Sequence, residues 1–176
     1  MNSFCKTLAV LILPTLVSLA GHAATGVWIT VEGAHQGVFK GDSTATHNQI
    51  SALGFSVEMD SPIDQASGQA SGKRQWKPLV ITKDLSASSP QFFTAMATNE
   101  VLKTVVIQVS KQDANGAAKV MEKITLTNAV VISVRQVSAP TSTGASQNLE
   151  EISLTFQKIE LQNLDAQTGF NDDWGH

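Results

Sequence analysis

Hydrophobic residues in this chain recur mostly at every second position, the period of a β-strand whose side chains point alternately to its two faces. Val27, Ile29 and Val31 alternate with Trp28, Thr30 and Glu32, which predicts a strand. Leu53, Phe55, Val57 and Met59 alternate with Gly54, Ser56, Glu58 and Asp60, predicting another with one apolar and one wet face. The stretch Pro78 to Thr82 is almost continuously apolar, as in a fully buried strand. Val105, Ile107 and Val109 then oppose Leu102, Thr104, Val106 and Gln108, and Asp113-Ala114-Asn115-Gly116 turns the chain, because Asn-Gly supplies the positive φ angles of tight hairpins. Val120, Ile124 and Leu126 share the next phase, and Val130, Ile132 and Val134 the one after. In the last strand Ile152, Leu154 and Phe156 are in phase while Ile159 and Leu161 take the opposite phase, which predicts a bulge or twist near Gln157.

One segment has a helical period. Ser89 followed by Pro90 reads as an N-cap with proline in the first turn, Phe92, Phe93, Met96 and Ala97 follow at helical spacing, and Asn99 is a left-handed stop. Seven or eight strands with one such helix predict an all-β, mainly antiparallel fold. This is a small two-sheet β-barrel or sandwich with one short α-helix at its side. The segments His35 to His47, Ser61 to Gly72 and Ser138 to Gln147 are rich in Gly, Ser and small polar residues and read as loops. Loops of such length are where a partner is usually met.

The first 23 residues stand apart from this pattern. Lys6 precedes an apolar run from Leu8 to Ala20, and Gly21-His22-Ala23 is a small-residue exit, so residues 1–23 read as a secretory signal peptide cleaved after Ala23. The run is shorter than a bilayer span and contains Pro14. Residues 24–176 are then one domain, exported to the periplasm or beyond. Cys5, the only cysteine, leaves with the leader, and a domain of this size needs no disulfide.

Composition narrows the classes further. The chain has 176 residues, 42% hydrophobic and 15% charged, too apolar for disorder. Loss of Lys6 leaves 11 basic residues against 15 acidic ones, a net charge of −4. The basic residues are scattered, so neither nucleic acid nor, after signal cleavage, a membrane is an expected partner.

Candidate chemistry is sparse. There is no G-x-S-x-G elbow, and the histidines left after cleavage are His35, His47 and His176. His35, Asp42 and His47 share a loop, but their spacing matches no metal motif. Gly68 to Lys73 is one residue short of a phosphate loop, has Arg74 where Ser or Thr should stand, and leads into a strand. Glu150 and Glu151 are consecutive, so in a strand they face apart and cannot act on one bond. Asp172-Asp173 beside Trp174 and His176 reads as an exposed tail or an interaction hook rather than a ligand set. No enzymatic activity, metal or cofactor is expected.

The run from Gly72 through Lys73-Arg74-Gln75-Trp76-Lys77-Pro78-Leu79-Val80-Ile81-Thr82-Lys83, continuing into Ser88-Ser89-Pro90 and Phe92 to Leu102, resembles the haemolysin-coregulated protein (Hcp) family, the tube proteins of bacterial type VI secretion. Ile124 to Val134 and Glu151 to Ile159 are similar to the family's later strands. The resemblance covers nearly all of residues 24–176 and rests on the order and spacing of these pieces together. It implies a small barrel of two sheets with a helix at its side, assembling as a homohexameric ring. Rings that stack into a tube can carry effector proteins, with the secretion spike or effectors as further partners. In the family, the long loop after the second strand region contributes to contacts between stacked rings. The matching region is about residues 33–47, which makes Gly33, His35, Val38, Phe39, Asp42 and His47 the candidate contact residues. The family's tube proteins normally lack a secretory leader, so either the leader is silent or the chain is an exported relative. The alternative reading is a periplasmic or secreted monomer that reuses the fold as a binding module.

Overall fold

The alternation that begins at Val27 becomes strand β1 (Gly26–Gly33), with Ile29, Val31 and Gly33 turned inward. A computed structural model of the chain describes residues 26–42, 48–113, 115–140 and 146–174. The expected leader, His47 and His176 lie outside them. The remaining strands are β2 (Gly37–Val38), β3 (Ile50–Ala52), β4 (Gly54–Ser56), β5 (Met59–Asp60), β6 (Gln75–Trp76), β7 (Leu79–Asp84), β8 (Val101–Gln112), β9 (Ala118–Pro140), β10 (Ser146–Thr155), β11 (Lys158–Asn163) and β12 (Thr168–Asp173), with one helix, α1 (Ser89–Ala97). Every strand pair is antiparallel. The main sheet runs β2-β1-β8-β9-β10-β7-β4, with β3 also on β1 and the β11–β12 hairpin on β9, while β5 and β6 form a separate ribbon. The fold is all-β and mainly antiparallel with one short helix, as the periodicity predicts. Its two walls are one folded sheet rather than two, and the ladder does not close into a ring.

Strand β9 makes that folding possible. Its first half pairs with β8 on one side and β11 on the other, and its second half pairs with β10. Between the halves Asn128 adopts φ 50°, a left-handed conformation that asparagine tolerates better than most residues. The insertion slips the phase by one, so Ile124 and Leu126 before it and Ala129 and Val131 after it all face the core. The alternation alone predicts two strands with Val130, Ile132 and Val134 inward. Instead Ile132 sits at a register shift opposite Ser153 and Leu154 and is 46% exposed. The same corner divides the last predicted strand: β10 stops at Thr155, β11 starts at Lys158, and Asn128 Nδ2 donates to Gln157 Oε1 between them at 2.8 Å. The expected bulge near Gln157 is therefore a strand break at which the chain changes neighbours.

Two other phase expectations are corrected by the same kind of event. Residues 53–59 are not one strand. The chain leaves β1 after Ala52 and joins β7 at Gly54, so Ile50 and Ala52 are buried while Leu53, at the crossing, is 55% exposed. In β8 the pairing with β1 skips Lys103, which brings Leu102 onto the same buried face as Val105 and Ile107. The 113–117 turn forms with Gly116 at φ 80°, and the Asp113 carboxylate accepts from the N–H groups of Asn115 and Ala117.

The core joins both walls through aliphatic side chains from β1, β3, β7, β8, β9, β10 and β11, closed at one side by Phe92 and Ala95 of α1 and by Phe39. Each large aliphatic side chain buried there contributes roughly 1.5–3 kcal/mol. One inward position of β7 is a lysine. Lys83 and Glu150 of β10 are both 0% exposed and meet at 2.8 Å. Lys83 Nζ also donates to the Asp84 carbonyl and to Ser86 and Ser89 Oγ, Ser89 Oγ donates to Glu150 Oε2, and Gln136 Nε2 donates to Glu150 Oε1. Ser89 is thus no N-cap: Ser88 holds that position, without a side-chain cap bond, and the Ser89 hydroxyl turns into the ion pair. Asn99 ends the helix at φ 51°, as predicted.

Breaking a buried pair leaves an uncompensated charge and costs about 3–5 kcal/mol, whereas replacing both partners by apolar side chains is often near neutral. Glu150→Ala is therefore expected to lose stability on that scale in urea unfolding, and the double variant Lys83→Met/Glu150→Met to recover most of it. A single-variant loss below about 1 kcal/mol would contradict the pair's role.

Candidate functional site

The segment after β1 is held by the helix that follows it in space. Because Asn99 reverses the chain at the end of α1, Glu100 falls beneath the turn between β1 and β2. Its Oε1 accepts from the backbone N–H groups of His35 (2.6 Å) and Gln36 (2.8 Å), and its Oε2 from Gln36 Nε2 (2.8 Å). Gln36 Nε2 also donates to the Gln91 carbonyl, Gln91 Oε1 accepts from the Lys40 N–H, and Phe39 packs edge-on against Phe92 with ring centroids 5.2 Å apart. Burial acts to raise the Glu100 pKa. The backbone and side-chain donors of Gln36, the His35 N–H and the nearby His35 charge outweigh it, and the carboxyl titrates below its ordinary value.

Two glycines permit the close fit. A Cβ on Gly33 would collide with the Glu100 carboxylate, and one on Gly41 with the backbone of Gln49, whose carbonyl accepts from the Asp42 N–H at 2.9 Å. Asp42 Oδ1 in turn accepts from the Ala87 N–H at 3.3 Å, tying the segment to the turn before α1. Residues 33–42 and α1 therefore form one connected unit.

Of the six contact residues expected in this segment, His35, Val38 and Asp42 are exposed on that unit. Gly33 and Phe39 are buried and serve it from beneath, Phe39 because its ring completes the core beside Phe92. His47 lies outside the described residues. Among the described residues there is no cluster of three or more His, Cys, Asp or Glu that could hold a metal, and no helix long and apolar enough to cross a membrane. Gly68 to Lys73 follows a small turn in which Asp64 accepts from the Ala66 N–H and the Ser67 hydroxyl. Glu150 and Glu151 face apart, the first in the core and the second toward Arg135 at 3.0 Å.

The acidic C-terminal segment is more than a tail. Asp172 lies in β12, is only 7% exposed, and accepts from Arg74 Nε (2.7 Å), from the Arg74 terminal nitrogen and from Trp76 Nε1 (2.8 Å). These bonds, Arg74 first and Trp76 second, lower its pKa to about 2. They also tether the 61–76 excursion to the main sheet. Asp165, in the β11–β12 turn, is likewise lowered to about 2 by Lys111 and Lys119, which bond it from the β8–β9 hairpin. Glu100 and Gln36 carry no role in the sequence reading, which weighs Arg74 only against a phosphate-loop pattern and Asp172 as an exposed tail or interaction hook, without pairing the two. Glu100 alone carried a local signal: an acid just past a helix C-terminus opposes the helix dipole and so is placed there for another purpose.

Comparison with known proteins places these features in a wider set. Residues 28–162 match the family model described as "Type VI secretion system effector, Hcp". The chain is 28% identical over 165 residues to the "Major exported protein" of Pseudomonas aeruginosa, covering 86% of this chain and 96% of that relative. A crystal structure of an Hcp protein superposes with a TM-score of 0.78 at 25% identity, covering 86% of this chain and all of the other. Secreted protein Hcp3 from Pseudomonas aeruginosa superposes with a TM-score of 0.67 at 24% identity, covering 87% and 100% of the two chains.

The lowered carboxylates of Asp165 and Asp172 make the fold sensitive to acid. In the range from about pH 4 to about pH 2 the unfolded chain binds more protons than the folded one, so stability rises with pH there and is lost as pH falls through the folded values. Urea midpoints measured across that range are expected to fall, and Asp172→Asn to flatten the slope; an unchanged slope would exclude Asp172 as a contributor. Glu100→Ala is expected to abolish amide-exchange protection at His35 and Gln36 while leaving β9 and β10 protected.

Proposed function

The chain belongs to the Hcp family of type VI secretion proteins, and we propose that it acts as a structural ring subunit, without turnover, that is exported and assembles with copies of itself. The family match across residues 28–162 carries this reading, because it spans the barrel from β1 to β11 and includes α1 and the tethered 33–42 segment. A closed ring needs a heterologous interface, in which one patch meets a different patch of the next copy. A segment already fixed by Glu100, Gln36 and Phe39 loses little entropy on contact, which suits repeated assembly. Val38, Phe93, Met96, Val101 and Ile132 are large apolar side chains left exposed in the single chain, and burying them against a neighbour supplies a driving force.

In this reading six copies close a ring and rings stack through the exposed residues His35, Val38 and Asp42 of the 33–47 segment. The lumen admits effector proteins, and the secretion spike is a further partner. Export is supported by the leader pattern of residues 1–23 and by the name of the Pseudomonas relative.

Light scattering of the purified protein with negative-stain imaging is expected to give a six-fold mass and ring-shaped particles. A monomer at every accessible concentration would overturn the ring and leave the binding-module reading. Val38→Asp is expected to keep the hexamer and abolish stacked rings. Sequencing the N-terminus of the exported form is expected to begin at Ala24, and recovery of an intact Met1 start would show the leader to be silent.

A further inference from the structure

A second feature lies away from the 33–42 unit. Lys73, Arg74 and Trp76 from the start of β6 and Asp172, Asp173 and Trp174 from the end of β12 line one cavity of about 280 Å³. That is near the lower end of small-ligand pockets, the size for a single ring rather than an extended molecule. Asp172 is held at the base by three hydrogen bonds from Arg74 and Trp76, which orient its carboxylate against the guanidinium. The Trp76 indole is wedged between Phe156, at 5.8 Å between ring centroids, and Phe170, at 6.3 Å. Trp174 stands at the cavity with 49% of its surface in water, although its backbone N–H is fixed to the Gln157 carbonyl at 3.0 Å.

The chemistry of the lining selects among ligands. The Trp174 indole offers an exposed apolar surface, while two cations and two carboxylates in the lining offer donors and acceptors whose formal charges cancel. A net anion finds Arg74 already bonded to Asp172 and meets the Asp173 carboxylate against the attraction of Lys73. A cation meets Lys73 and Arg74. A nucleotide would bring phosphate to the same acidic pair. What suits an aromatic wall beside fixed charged hydrogen-bonding groups is a neutral ring with a C–H face and a hydroxyl edge. We propose that this cavity is a binding site for a neutral hexopyranose unit of a glycan, stacked on the half-exposed Trp174 above a base formed by Trp76 and Asp172, and hydrogen-bonded at its hydroxyls by Lys73, Arg74 and Asp173. The site does not depend on assembly and stands or falls separately from the ring.

The test uses the full protein labelled with 5-fluorotryptophan, whose three tryptophans, Trp28, Trp76 and Trp174, report separately by fluorine NMR. Titration with N-acetylglucosamine and with methyl glucoside is expected to shift the Trp76 and Trp174 signals saturably and to leave Trp28 of β1 unmoved. Trp174→Ala is expected to weaken binding about tenfold, the effect of losing one aromatic stacking partner. Trp174→Phe, which keeps a ring, should retain most of it. Absence of a saturable shift at Trp76 and Trp174, equal affinity in Trp174→Ala, or tighter binding of glucose 1-phosphate than of the neutral sugars would each overturn the proposal. The mass of the particle, measured on the same sample, reports on the ring independently.

Discussion

The whole architecture depends on one strand serving two neighbourhoods. β9 is 23 residues long, and a strand of that length left flat would run past any core this chain can build. The left-handed Asn128 bends it and slips its phase, so that the side chains before and after the bend point into the same interior. β10 and β11 must then follow the two halves separately, which is why the last third of the chain breaks at Gln157. The Asn128 to Gln157 hydrogen bond lies where both paths turn.

The second organising element is polar. Lys83 and Glu150 lie where neighbouring inward positions hold Leu79, Ile81, Ile152 and Leu154. An apolar pair at the same place would be easier to bury, but the ion pair adds direction. It fixes the register of β7 on β10, and through Ser86 and Ser89 it fixes the start of α1. The far end of that helix, by way of Asn99, places Glu100 beneath residues 33–37. The exposed segment that the family reading assigns to assembly is therefore positioned through a chain of contacts that begins in the core.

Much of this was legible in the sequence, and what was not has a common cause. The all-β class, the helix with its stop at Asn99 and the 113–117 turn follow from local periodicity and residue conformational preference, which the tertiary structure left in force. Phase was misread at Leu53, at Lys103 and at Ile132, where a strand changes partners or skips a residue, whereas the slip near Gln157 was legible and proves to be a strand break. In each case the backbone inserts or omits one residue relative to a neighbour, and the alternation of a single strand does not contain that neighbour. Lys83 lies within a recognisable run, yet nothing local says that a lysine is buried, since its partner lies 67 positions away. The pairing of Arg74 with Asp172, 98 positions apart, was invisible for the same reason. The segment His35 to His47 was marked as a loop; its described part contains the short strand β2, and its composition of glycine and small polar residues concealed that it is held by a buried carboxylate.

The buried pair also has a consequence in time. β7 and α1 are made early in the chain, whereas Glu150 arrives only with β10. Docking β7 and α1 into a core before then would seal an ammonium group away from water with no counter-charge, an arrangement several kcal/mol uphill. The first half of the protein is thus held back from premature closure until its C-terminal third is present. Productive folding becomes an event of the complete chain, dominated by pairings between distant segments and correspondingly slow.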